Sequence, residues 1–332
     1  MSKYPDIDYL FICSQLKALE KNMLSHENFV RMAAAKNDDD VLKILTENGW
    51  GDFDPKDLFS LECQIDHQRE TLFDIFQRHV PDKTILNVFR LRYDYHNLKA
   101  LIKGQAVGGA TSAMLSGAGS IPTAKLEGIL REKSYRELDT VMAEAVIEAV
   151  DLLARTEDPQ LSDLLLDRAM ISQMHRLASD SESEFLIGYL SLYVDLANLR
   201  VVTRVVRSGK GIDFLKRALL PYGTVVVDKL ISDFTPDSIA TLFASKSLLP
   251  VAAVAAQAQN GNVSLAALDM ACDNALLSYI HDRRYSSFGE AQAISHLIAR
   301  EAELTSVRTV LAGRRAGLSE DQILERLRMS YV

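Results

Sequence analysis

Three short stretches of this chain put the same kinds of polar side chain at the same spacing. YDYHNLKALIKG (93–104), VDLANLRVVTRVVRSG (194–209) and AELTSVRTVLAG (302–313) each carry an acid (Asp94, Asp195, Glu303), a small polar group (Asn97, Asn198, Ser306) and a cation (Lys99, Arg200, Arg308). Such sets offer ion pairing and hydrogen bonding rather than nucleophilic chemistry, and no Ser, Cys or Asp stands beside a histidine at a spacing that makes a nucleophile pair. Acid and amide are three residues apart and share a helix face. The cation, five residues from the acid, lies about 140° around the helix and must meet another neighbour. We expect the acid of one copy to face the cation of the next around a pseudo-threefold axis. Apolar neighbours such as Tyr95, Leu98, Leu101 and Ile102 spread round the helix, which implies burial on more than one side. A buried Asn97 or Asn198 must then be hydrogen-bonded, and its role is structural rather than catalytic.

Other groups with chemical potential are weaker. Asp38, Asp39 and Asp40 resemble an aspartate run that holds magnesium and diphosphate, but no second acidic motif accompanies them, and a helix N-terminus explains them better. Cys63 and His67, at i and i+4, are two metal ligands without further partners. Gly117 and Gly119 lack the Gly-Lys-Ser/Thr continuation of a phosphate loop. His96 and His296 fall in or near the motif helices, and Arg283, Arg284, Arg314 and Arg315 read as helix C-terminal charges on a solvated face. The expectation is no catalytic residue, no cofactor and no metal.

The elements that position the motifs are helices. Apolar triplets with i, i+3, i+4 spacing precede each motif: Ile85, Val88, Phe89; Leu186, Tyr189, Leu190; Ile294, Leu297, Ile298. The first motif helix should open at Asp82 after Pro81 and the third after Gly289. Ser181 and Glu184 have the spacing of a capping box at the second, as Ser319 and Gln322 do near the C-terminus. Glycine ends each copy, at Gly104, Gly209 and Gly313, giving helices of roughly 23–28 residues, about 35–42 Å. A break and a shorter helix follow each: KLEGIL after Pro122, VVVDKLI after Gly223, EDQILERL after Leu318. The glycine-, alanine- and serine-rich run 104–120 reads as a flexible connection between units. The one strand candidate, 225–227, sits in a context that a helix accepts equally well, so the chain is all-α.

The repeat interval of about a hundred residues is too long for a solenoid, and it divides the 332 residues into three helical units, 1–115, 116–215 and 216–332. Hydrophobic residues at 48% and charged residues at 25% give a folded globular composition. The net charge of −8, without a basic tract, argues against nucleic acid. Cys13, Cys63 and Cys272 are few, odd in number and far apart, as in a reducing compartment. The most apolar run, LLPVAAVAA (248–256), is about half a membrane span and contains Pro250, and MSKYPDIDYL lacks the features of a secretory signal. The sequence therefore predicts a protein that neither crosses a membrane nor is exported.

The Asp-x-x-Asn-Leu-Lys/Arg element at 94–99 and 195–200, together with ISHLIAREAELTSVRTVLAGRRAGLSEDQILERLRMSYV at the C-terminus, resembles the C subunit of V/A-type (vacuolar/archaeal-type) ATPases, whose eukaryotic relative is the vacuolar ATPase d subunit. The resemblance covers almost the whole chain, and the third box departs from it with Glu303 for Asp and Ser306 for Asn. It implies a funnel-shaped protein of three pseudo-threefold-related helical units, cytoplasmic and peripherally associated with the membrane. It also implies a non-catalytic connector that holds central-stalk subunits D and F and couples their rotation to the membrane proteolipid ring for proton or sodium transport. The alternative from another class is a free-standing helical scaffold for soluble partners.

Overall fold

In the computed structural model the chain is described for all residues but 1, 2, 110, 112–113, 246–247 and 282–287. Among the described residues there are helices and no strand. The helices are α1 (Leu10–Leu19), α2 (His26–Ala34), α3 (Asp38–Glu47), α4 (Leu58–His79), α5 (Lys83–Val107), α6 (Thr123–Glu132), α7 (Thr140–Thr156), α8 (Pro159–Asp180), α9 (Glu184–Ser208), α10 (Ile212–Ala218), α11 (Val227–Ser232), α12 (Pro236–Leu242), α13 (Leu249–Gln259), α14 (Leu265–His281), α15 (Glu290–Arg315) and α16 (Glu320–Leu324). The three motif helices are α5, α9 and α15, of 25, 25 and 26 residues, within the predicted range.

Their starts have local causes. Asp82 caps α5, as expected, by accepting from the Thr84 N–H at 2.9 Å. For α9 the capping residue is Ser183, which accepts from the Leu186 N–H at 3.1 Å, and not Ser181. Ser181 ends α8 instead, and its hydroxyl donates back to the Ala178 carbonyl at 2.7 Å. The predicted box does form at Ser319 and Gln322, where each side chain satisfies the other's N–H. Helix α15 follows Gly289, whose φ of +123° suits glycine, and a side chain there would press on Asp6. The ends differ in part from expectation. Gly209 does terminate α9 with φ +65°, but α5 runs past Gly104 to a left-handed Gly108, and α15 runs past Gly313 toward Gly317. Gly313 serves close packing: a Cβ would come within 2.8 Å of Ile323 on α16.

Two compact units divide the chain. One comprises Asp82–Asn262, with α5 and α7 packed on α8, and α9 packed on α8, α10 and α13. In its core Phe89 and Tyr189 pack with ring centroids 6.2 Å apart. Helix α9 is long and apolar enough to cross a membrane, yet it is the core helix of this unit, with Leu186, Leu190, Val194, Leu199 and Val202 buried against its neighbours. Sequence reading singled out 248–256 instead, a segment that forms the short helix α13.

The other unit joins Ser2–Pro81 to Val263–Val332. Here α15 is surrounded by α1, α2, α4, α14 and α16. Leu304, Val307, Val310 and Leu311 of α15 share an apolar cluster with Phe29, Met32, Val41, Leu45, Trp50, Leu61 and Ile65. At roughly 1.5–3 kcal/mol per fully buried aliphatic or aromatic side chain, such a cluster is what holds distant parts of the sequence in one unit.

Candidate functional site

The motif residues of α5 build a bracket for the loop that follows the helix. Asn97, with no exposed surface, is hydrogen-bonded on both sides of its amide: Nδ2 donates to the Ser116 carbonyl and Oδ1 accepts from the Ser116 N–H, each at 2.9 Å. One turn earlier, Asp94 Oδ2 accepts from the Ser120 hydroxyl at 2.6 Å and Oδ1 from the Ile121 N–H at 3.0 Å. Between these anchors Gly119 passes so close that a Cβ would collide with Asp94 Oδ1. Burial pushes the Asp94 carboxyl above the usual carboxylate range; the Ser120 hydroxyl, the Ile121 and Ser120 N–H groups and Arg90 oppose it. Residues 116–121 therefore form a strap laid back on α5, where the sequence suggested a free connection. His96 adds a ring-nitrogen contact to the Met114 carbonyl at 2.9 Å.

Helix α9 repeats the device. Asn198 Nδ2 donates to the Leu220 carbonyl at 2.9 Å, and its Oδ1 accepts from the Leu220 N–H at 2.8 Å. Asp195 accepts from the Thr224 N–H at 3.1 Å, from the Thr224 hydroxyl, and from the Val225 N–H at 3.0 Å. Gly223 takes the place of Gly119, since a Cβ there would strike Asp195 Oδ1. Pinning Leu220 and Thr224 four residues apart forces a tight turn, and Tyr222 adopts φ +73° while its ring stacks on His175 at 4.1 Å. Val225, the expected strand or helix residue, is thus a loop residue whose N–H is consumed by the bracket.

The third copy is built differently. Glu303 is 5% exposed; its Oε1 accepts from Arg300, a turn earlier on the same helix, and its Oε2 has no hydrogen-bond partner among the described residues. Ser306 donates to the Ala302 carbonyl of its own helix at 3.0 Å and brackets no loop. Substituting Glu for Asp and Ser for Asn lengthens one arm and removes the two-sided amide, so the geometry of the first two copies cannot form.

Two of the motif cations meet acids outside the motifs. Lys99 pairs with Asp167 of α8, and Arg308 forks onto Glu62 of α4, with Nε to Oε1 at 2.7 Å. Glu303 takes its cation from Arg300. Arg200 is half-buried on α9. At Asp94 and Asp195 the expected pairing with a cation of the next copy gives way to bonds with the following loops, because a buried carboxylate is better satisfied by fixed N–H groups than by a long flexible ammonium.

Elsewhere, Asp38, Asp39 and Asp40 occupy the first turn of α3 behind the cap Asn37, as expected. Cys63 is exposed, and among the described residues no three His, Cys, Asp or Glu side chains converge on a metal site. Arg314 departs from its predicted solvated position: it is mostly buried and donates to the carbonyls of Met32 and Ala35, at 3.2 and 2.7 Å, at the C-terminal end of α2. Arg315 is exposed; Arg283 and Arg284 lie outside the described residues. The strap residues escaped sequence reading, although a signal was there: Gly-Ser-Ile at 119–121 and Gly-Thr-Val at 223–225 are the same tripeptide type following the two Asp-x-x-Asn elements.

A family model described as the ATP synthase (C/AC39) subunit matches residues 12–326. The chain is 22% identical over 325 residues to the C subunit of the V-type sodium ATPase of Enterococcus hirae, covering 95% of this chain and 97% of that protein. It is 20% identical over 340 residues to the C subunit of the A-type ATP synthase of Methanocaldococcus jannaschii, covering 95% and 85%. To the corresponding A-type ATP synthase protein of Halobacterium salinarum it is 26% identical over 263 residues, 72% of each.

Proposed function

The chain belongs to the ATP synthase (C/AC39) subunit family, and from that premise we propose that it is the non-catalytic central-stalk connector of a rotary V/A-type ATPase. On this reading it holds the D–F stalk at the membrane rotor and passes rotation between that stalk and the proteolipid ring, for proton or sodium movement. It works at the cytoplasmic side, held to the membrane through the ring. Three related helical units form a funnel around the stalk tip, each organised on one of α5, α9 and α15.

The observation that carries the reading is the family match across 12–326, which leaves almost none of the chain for another task. The site geometry supports a mechanical role. A torque-transmitting part needs long elements whose connections do not give, and α5 and α9, each about 37 Å long, have their following loops tied back by paired amide and carboxylate brackets. Those polar groups are consumed by the loops they hold, which leaves the brackets no acid or base to offer a substrate. The structural polar motif is accordingly Asp94, Asn97 and Lys99, Asp195, Asn198 and Arg200, and, in reduced form, Glu303, Ser306 and Arg308.

The test is a pull-down of the tagged full chain against purified D–F stalk and, separately, the detergent-solubilised proteolipid ring, at low and high salt. Binding to both is the expected result. Binding to neither by a well-folded protein overturns the connector reading and leaves a free-standing helical scaffold in its place.

A further inference from the structure

Within the unit Asp82–Asn262, the last turns of α5 and α7 and the first turn of α8 leave a half-enclosed cavity of about 740 Å³. Ile102, Ala106 and Val107 of α5 line it from one side and Val150, Leu153 and Ala154 of α7 from another, with Glu157 and Pro159 at the turn into α8. Its mouth is apolar and open: Val107 is 81% exposed, and Ala106 and Ala154 are exposed as well. The volume is that of a small-molecule site, and an apolar lining left to water favours any ligand that covers it. The lining runs over 102–107 and 150–157 only, roughly 8–11 Å of helix, which suits a small molecule and is short for a partner helix.

The polar groups around the cavity select the charge of its occupant. Both α5 and α7 end here, so the negative ends of two helix dipoles and their last carbonyls come together. The last turns of the two helices hold one cation, Arg155, and Asp151 already pairs with it at 2.7 Å. Lys103, which lines the cavity, is taken by Asp163 Oδ2 of α8 at 3.1 Å. The other oxygen of that carboxylate, Asp163 Oδ1, is buried without a hydrogen-bond partner, and Asp163 lies one turn along α8 from Pro159, on the same face. Glu157, held at φ +54°, adds a carboxylate that forms no ion pair among the described residues. An anionic ligand would have to draw Lys103 away and strand the Asp163 carboxylate, whereas a cationic one brings donors to acceptors that are unfilled.

We propose that this cavity binds a small amphiphilic cation, an ammonium or guanidinium carried on an apolar body. The body lies between Ala106 and Ala154, and the head donates to Glu157, to Asp163 Oδ1 or to the carbonyls that end α5 and α7. Such a site is independent of the connector role: failure of the pull-down leaves it standing, and its own failure leaves that role untouched.

The experiment is a ligand-observed NMR titration of the full-length protein at neutral pH with three probes that share one apolar body: phenylbutylammonium, phenylbutanol and phenylbutyrate. We expect the ammonium to bind about tenfold more tightly than the alcohol, the worth of one charge-assisted hydrogen bond, and the carboxylate to bind more weakly than either. Glu157→Gly should remove most of the ammonium's advantage and leave the alcohol bound; glycine suits the left-handed backbone there, so this variant folds at least as well as wild type. Ala154→Trp, at an exposed helical position, fills the cavity and should abolish binding of all three. A lysine of a partner protein offers the same chemistry, so a helical peptide of leucines flanking one lysine is the fourth probe, expected to bind no more tightly than the ammonium. Tighter peptide binding that Glu157→Gly abolishes would assign the cavity to a protein and overturn the small-molecule proposal. No binding of the ammonium to wild type, equal binding of ammonium and alcohol, or undiminished binding to Ala154→Trp overturns it too.

Discussion

Replacing Asn198 by alanine removes both halves of the bracket on Leu220 and leaves the helix otherwise intact, since alanine is the best helix former. Two hydrogen bonds disappear, at 2.8 and 2.9 Å, each with a net worth of about 1 kcal/mol. The Leu220 N–H and carbonyl are then left facing a cavity where the amide stood; because Leu220 is half-buried, water satisfies them in part, and the desolvation penalty falls at the low end of about 1–3 kcal/mol. The sum is a loss of about 2–4 kcal/mol, a drop in Tm on the order of 10 °C for a unit of this size. Circular dichroism during thermal and urea unfolding measures it. Asn198→Asp refines the test. It keeps the acceptor for the Leu220 N–H but points a second carboxylate oxygen at the Leu220 carbonyl, so it should be at least as damaging at neutral pH and recover when acid protonates it. If Asn198→Ala unfolds within about 0.5 kcal/mol of wild type, the buried amide is not what holds this loop and the bracket argument fails.

Alanine at Gly223 or Gly119 places a Cβ on the carboxylate of Asp195 or Asp94 and should cost about 1–3 kcal/mol in urea unfolding, whereas alanine at the open Gly128 should be neutral or stabilising. The Lys99–Asp167 pair lies near solvent, so a double-mutant cycle should return no more than about 1 kcal/mol; a value of several would contradict its placement. Arg314→Met frees the terminal carbonyls of α2 and should lower stability by about 1–3 kcal/mol, and native-state hydrogen exchange should show α2 loosening before other parts of its unit. His296 is held neutral by burial, with its native pKa below that of the unfolded chain. The stability tied to it is present above the ordinary imidazole value and is lost as pH falls below it, so the urea midpoint of His296→Gln should gain on wild type between about pH 7.5 and about pH 5.5. A gap that does not change with pH would show that His296 binds protons alike in the folded and unfolded chain, and so that burial does not hold it neutral.

The sequence by itself determined the all-α class, the three long helices and two of their starts, because those depend on near neighbours: an apolar stripe at helical spacing, an Asp or Ser before the first turn, and a glycine or proline that stops a helix. It also determined that Asn97 and Asn198, if buried, must be hydrogen-bonded, since an amide surrounded by apolar residues has to find partners within the protein. What those partners are was decided only by the tertiary structure. Ser116, Leu220 and Thr224 are 19 to 29 residues from the side chains that hold them, and no periodicity reports a contact at that range. The same limit hid the role of Arg314, whose acceptors on α2 lie 279 and 282 residues away. It also hid the union of Ser2–Pro81 with Val263–Val332 in one unit, which comes from apolar side chains at both ends of the chain sharing one buried cluster. Helix formation is local and leaves its mark in spacing. Burial is a property of the whole packed unit, and it alone decides which polar atoms must be matched and which loop is near enough to match them.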